Sequence, residues 1–117
     1  MSDDRAHALD MLNAAGAIVR FVGGRTQDAF LADDLVQSAV LYQFTVLGEA
    51  CRRVSAAFRE TNPAVDWSGI AGFRNKIVHD YDEIDLDVVW DILQRDLPRA
   101  IAALEPLVPK EPDAEEG

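Results

Sequence analysis

A single cysteine, Cys51, stands in the 117-residue chain, so no intrachain disulfide and no cysteine-based metal cluster can form within one copy. Histidine is almost as scarce. His7 and His79 lie far apart without close ligand spacing, so neither a metal site nor a cofactor is expected. No apolar run approaches the roughly 20 residues that span a bilayer, so no membrane partner is expected. The opening "MSDDRAHALD" is polar and acidic and lacks the layout of a secretory signal, which makes the reducing cytoplasm the expected address. No segment alternates with period two, and no internal repeat is visible.

Basic charge is in deficit as well, with a formal net charge of −10. Nucleic-acid binders ordinarily carry a basic footprint. Here the excess acid is concentrated. Residues 82–91 hold five acids and no base, and residues 105–117 hold five acids against Lys110 alone. Arg52, Arg53, Arg59, Arg74 and Lys76 lie outside both segments and are free to converge on a locally positive site. The acidity itself suits solubility or a basic partner surface.

What is abundant is helical period. With 49% of residues apolar, the chain can bury a core as one domain. Leu9, Leu12, Ala15, Ile18, Val19 and Val22 recur at helical spacing up to a stop at Gly23–Gly24. "RTQDAFLADD" reads as a loop with a short helical turn, and Asp33 or Asp34 caps a second helix expected to reach about Arg59. "TNPAVD" breaks the chain. A third helix follows from Trp67 or Ser68 to about His79, then a turn at "DYDEID", then a last helix from Leu86 to about Leu107 that Pro98 should kink. These elements predict an all-α, antiparallel bundle of four to five helices over residues 1–108, with an acidic disordered tail at 109–117. The aliphatic faces are generous, so part of the surface is expected to join two copies in a homodimer.

"RNKIVHDYDEID", Arg74 to Asp85, gathers reactive side chains at an expected helix end. On a regular helix Asn75 and His79 share a face, and an amide-to-imidazole hydrogen bond is in reach. Arg74 and His79 stand about 140° apart. For both to touch one phosphate, the helix must loosen near His79 or the site must be assembled from two chains. Ile77 and Val78 are expected to face the core. Metal-independent RNA cleavage needs a group that passes a proton to or from the ribose 2′-OH and the leaving 5′-oxygen, for which histidine is suited. It also needs a fixed cation on the phosphate, which the planar donor fork of arginine supplies. A plainer reading stands beside this one: a helix-end histidine paired with Asp80 or Asp82, and a half-buried Tyr81.

"RNKIVHDY" matches the R-x4-H-x-Y signature of the HepT family of HEPN-domain toxins. "VLGEACRRVSAAFRETNPAVDW" resembles that family's long-helix segment, and "DLDVVWDILQRDLPRAIAALEPL" its final helix, so the likeness covers roughly residues 8–107. The resemblance implies a metal-independent ribonuclease on an all-α HEPN bundle, in homodimers that set two motifs beside a shared cleft. It implies Arg74 and His79 as the catalytic pair, with Asn75 orienting His79 or contacting phosphate beside Lys76. It implies Tyr81 as the tyrosine that receives AMP from the cognate antitoxin, a minimal nucleotidyltransferase of the MntA type. RNA and that antitoxin are then the expected partners. The alternative function is a non-catalytic HEPN subunit that holds a nucleotide for a nucleotidyltransferase; a third reading is a purely structural helical dimer.

Glu49 has two candidate partners: Arg53, four residues on in the favourable orientation, or Arg74 across the bundle. The intrahelical pair is the simpler expectation. Arg53 and Arg52 either line an RNA path or form a solvated face. Trp67, Trp90 and Cys51 read as core, and His7 has no evident partner.

Overall fold

A computed structural model describes residues 3–108 of the chain; the acidic tail expected at 109–117 lies outside the described residues. The elements are α1 (Asp3–Val22), α2 (Gln27–Leu31), α3 (Asp34–Arg53), α4 (Ala56–Thr61), α5 (Trp67–His79), a 3-10 turn (Tyr81–Glu83), α6 (Leu86–Asp91), a π-turn (Ile92–Asp96), α7 (Leu97–Leu104) and a closing 3-10 turn (Glu105–Leu107). No strand forms among the described residues, and no helix is long and apolar enough to cross a membrane.

Local chemistry sets most boundaries. α1 opens on Asp3 and Asp4, which favour the positive end of the helix dipole. It stops at Gly23, whose φ of +58° suits a residue without Cβ and whose N–H bonds the Val19 carbonyl at 2.9 Å. Arg25 then donates to the Phe21 carbonyl at 3.0 Å, covering a free acceptor at that helix end. Asp33 accepts from the Val36 N–H at 3.1 Å to start α3. Asp66 and Asp85 cap α5 and α6 in the same way, accepting from the Gly69 and Asp87 N–H groups.

Two boundaries differ from expectation. The second long helix ends at Arg53 and not near Arg59: Val54 turns extended, and Ser55 caps a separate α4 by accepting from the Phe58 N–H at 3.1 Å. The break is held from outside, since Asp4 of α1 accepts from both the N–H and the Oγ of Ser55 at 2.7 Å. The last helix absorbs Pro98 through a π-turn. Leu97 N–H bonds the Ile92 carbonyl five residues back, and Pro98 falls in the first turn of α7, where a missing N–H costs little.

The bundle is antiparallel. Asp4 of α1 meets Ser55 just past the end of α3, and Arg5 donates to the Leu107 carbonyl at 2.6 Å beyond the end of α7. α5 runs back along α3, with Cys51 Sγ on the Trp67 carbonyl at one end and Phe44 edge-on to Phe73 at the other. Met11, Ile18, Phe30, Val40, Val54, Val89 and Leu104 are fully buried between these helices. Ala8, Ala14, Ala15 and Ala17 line the inner face of α1, small enough to let α3 approach closely. Trp67 is buried and donates through Nε1 to the Asn62 carbonyl at 2.9 Å, while Trp90 is partly buried against Phe30.

Candidate functional site

The candidate site grows from the last two turns of α5. Trp67 and Ile77 are buried and fix the helix against the bundle. Val78, expected in the core, is instead 46% exposed, because Ile77 alone faces inward at this level. Asp80 N–H bonds the Lys76 carbonyl at 2.8 Å, so α5 stays regular through His79. The roughly 140° between Arg74 and His79 therefore persists. The helix does not loosen to bring them together.

Arg74 turns toward α3. Its stem lies on Gly48, where a built Cβ would overlap Arg74 Cβ and stand 2.7 Å from its Cγ. Glycine is required here because no side chain fits between the helices. A glycine inside an apolar helical stripe costs about 1 kcal/mol against alanine, and that cost was the sequence signal of a close approach. The guanidinium is then held from two sides. Glu49 Oε1 meets Nη2 at 3.0 Å, and the Asn75 side-chain carbonyl accepts from Nη1 at 2.8 Å. Nε is buried and has no hydrogen-bond partner among the described residues. Only 17% of the Arg74 side chain is exposed, so these contacts hold a preorganised cation.

This arrangement corrects two expectations. Glu49 does not pair with Arg53; its intrahelical partner is Arg52 at 3.5 Å, and its shorter contact is the one to Arg74. Arg53 is exposed on the rim of the neighbouring groove. Asn75 engages Arg74 and not His79.

The other motif residues face solvent. Asn75, Lys76 and His79 are exposed on the outer side of α5. The imidazole of His79 has no ion-pair or hydrogen-bond partner among the described residues, so a pairing with Asp80 or Asp82 does not form. Tyr81 opens the 3-10 turn two residues later, 51% exposed and flanked by exposed Asp80, Asp82 and Glu83. Among the described residues no three His, Cys, Asp or Glu side chains gather as a metal site. Cys51 is packed beneath, its Sγ donating to the Trp67 carbonyl at 3.3 Å, and burial pushes its thiol up to about 11. It is a core residue and not a nucleophile.

The Ribonuclease HepT-like family model matches residues 11–107, from within α1 to the closing turn. A protein of Methanocaldococcus jannaschii named as a candidate RNase is 34% identical over 106 residues, covering 91% of this chain and 88% of the relative. A second from that organism, similarly named, is 31% identical over 97 residues, 83% of this chain and 89% of the other. A Thermococcus cleftensis protein whose name assigns it to ribonuclease HepT is 29% identical over 98 residues, 84% of this chain and 89% of its own. No solved structure matches. With the match running through the α3–α5 contact, the motif turn and the final helix, the chain belongs to the HepT-like ribonuclease family.

Proposed function

We propose that the chain is a metal-independent RNA endonuclease, the toxin of a toxin–antitoxin pair, that uses Arg74 and His79 across the cleft of a homodimer. The observation that carries this reading is the contrast within α5: an arginine clamped by Glu49 and Asn75, and an imidazole at the solvent-facing helix end with no partner among the described residues. The clamp favours charge stabilisation, and the free imidazole favours proton transfer.

In the proposed step the ribose 2′-oxygen attacks the adjacent phosphorus as His79 takes its proton. The bond from phosphorus to the 5′-oxygen breaks, and that oxygen leaves with a proton from the second copy's His79. The products are a 2′,3′-cyclic phosphate and a 5′-hydroxyl. The N–H groups of Nη1 and Nη2 that Asn75 and Glu49 leave uncommitted are the donors offered to the phosphate oxygens as charge shifts among them. Because α5 stays regular, one chain holds its Arg74 and His79 on different sides. That favours a site in which the arginine of one copy serves the histidine of the other. Lys76, exposed beside His79, adds charge for the RNA backbone.

Regulation follows from position. Tyr81 Oη gives up its proton to solvent and attacks the α-phosphorus of ATP held by an MntA-type nucleotidyltransferase antitoxin, and diphosphate leaves. The added AMP stands two residues from His79, repels RNA phosphate and offers Arg74 a competing anion.

The test is cleavage of total cellular RNA in EDTA by wild type, Arg74→Ala and His79→Ala, after the intact mass has shown Tyr81 to be unmodified. Cleavage by wild type alone is expected. Equal cleavage by His79→Ala would overturn the assignment. A second reading rests on the clamped Arg74, which suits a nucleotide phosphate equally well: a non-catalytic subunit that binds a nucleotide. It predicts ATP or AMP binding that is sensitive to Arg74→Ala, with no RNA turnover.

A further inference from the structure

We propose that the groove between α1 and α3 seats a nucleobase of the RNA, with Tyr42 as its stacking surface; this rests on the ribonuclease reading and extends it to substrate recognition. Arg74 is one of the residues that line the groove, whose volume is about 690 Å³. That is the size of small-molecule sites. Its walls are apolar where Ala14, Ala17 and Val46 line it. Tyr42 stands over them, 64% exposed, and its hydroxyl has no partner among the described residues.

Two further features make this more than an exposed ring. The side-chain amides of Asn13 and Gln43 line the same groove, and neither has a hydrogen-bond partner among the described residues. An amide offers both a donor and an acceptor, which is what the edge of an unstacked base requires. Charge is arranged lengthwise. Seven residues of helix separate Tyr42 from Glu49, about 10 Å, and Glu49 carries the clamped Arg74. Arg53 lines the groove beside Asp10 at that same end, so the backbone is placed past Arg53 and Arg74 and the base at Tyr42. One nucleotide, base to phosphate, spans that distance. A second copy of the chain is the rival occupant. The amides of Asn13 and Gln43, unpartnered among the described residues, favour a planar polar ligand over an apolar face between copies.

The experiment uses the full chain with His79→Ala to prevent cleavage, and a fluorescein-labelled 12-nucleotide RNA followed by anisotropy. Adding Tyr42→Ala is expected to raise Kd on the order of tenfold. Tyr42→Phe and Tyr42→Trp, which keep a π face, should stay within about twofold of the parent. Circular dichroism checks folding, and sedimentation velocity on the same samples should show unchanged mass. In the cleaving chain, Tyr42→Ala should raise KM more than it lowers kcat. An unchanged Kd overturns the inference, and so does a fall in mass that restores RNA binding when protein concentration is raised, which would make the groove a face between copies. If wild type cleaves in EDTA and Tyr42 variants match it, only this inference falls. If His79→Ala cleaves like wild type, the ribonuclease reading falls and takes this inference with it.

Discussion

Replacing Gly48 with alanine inserts one methyl group into the space that the stem of Arg74 occupies. The new Cβ would overlap Arg74 Cβ and stand 2.7 Å from its Cγ and 3.3 Å from the Ile70 carbonyl oxygen. These are the near end of a side chain and a helix backbone, so neither can swing aside as the tip of a lysine would. Restoring an ordinary carbon–carbon contact of about 3.5 Å moves the Arg74 stem by more than about 1 Å. Two terms oppose each other in stability. Alanine in a helix interior gains about 1 kcal/mol over glycine, and overpacking costs about 1–3 kcal/mol. The net expectation is a loss of up to about 2 kcal/mol in urea unfolding. Activity should suffer more. A catalytic group misplaced by about 1 Å can cost roughly a hundredfold, and the shift also draws the guanidinium from Glu49. The assay is RNA cleavage well below the unfolding midpoint, with circular dichroism showing a folded helical chain. A Gly48→Ala protein stabilised by about 1 kcal/mol, the bare propensity gain, and cleaving at the wild-type rate would refute the reasoning.

Glu49→Gln keeps an acceptor for Arg74 but removes the charge; because Glu49 is 41% exposed, unfolding should shift by less than about 1 kcal/mol while RNA cleavage falls several-fold. A variant with full cleavage would show that the clamp does not matter. Ser55→Ala removes the α4 cap and one of the two bonds to Asp4, so urea unfolding should detect a loss of about 1–2 kcal/mol. Cys51 should resist iodoacetamide at pH 8 in the folded chain and react in urea. Its raised thiol also sets a sign: stability is fully present below the ordinary value of 9.0 and is lost as pH rises toward about 11, because the unfolded thiol ionises first. Cys51→Ala should flatten that part of the pH–stability profile; an unaltered slope would remove the thiol as its cause.

Much of the fold was legible because its signals are local. Apolar period, the aspartates at 33, 66 and 85, and Gly23 each act within one helical turn, so the ends of α1 and α5 fall where the residues place them. The motif was legible as a cluster for the same reason, since Arg74 to Tyr81 are neighbours in the chain. The end of α3 was not. Its apolar stripe runs on past Arg53, and the break at Val54–Ser55 is held by Asp4, 51 residues away. Likewise Val78 looks as apolar as Ile77, and only the direction from which α3 packs decides which of them is buried.

Glu49 separates the two levels most clearly. In sequence it has Arg52 and Arg53 within one turn and Arg74 25 residues away. Helical geometry alone favours a local pair. The local pair that forms, with Arg52, is the longer contact at 3.5 Å, and Arg74 holds the carboxylate at 3.0 Å because Gly48 lets α5 lie against α3. The residue types and their order determined a helical bundle with an arginine, a histidine and a tyrosine at one helix end. Which carboxylate clamps the arginine was decided by two helices meeting where one of them has no side chain.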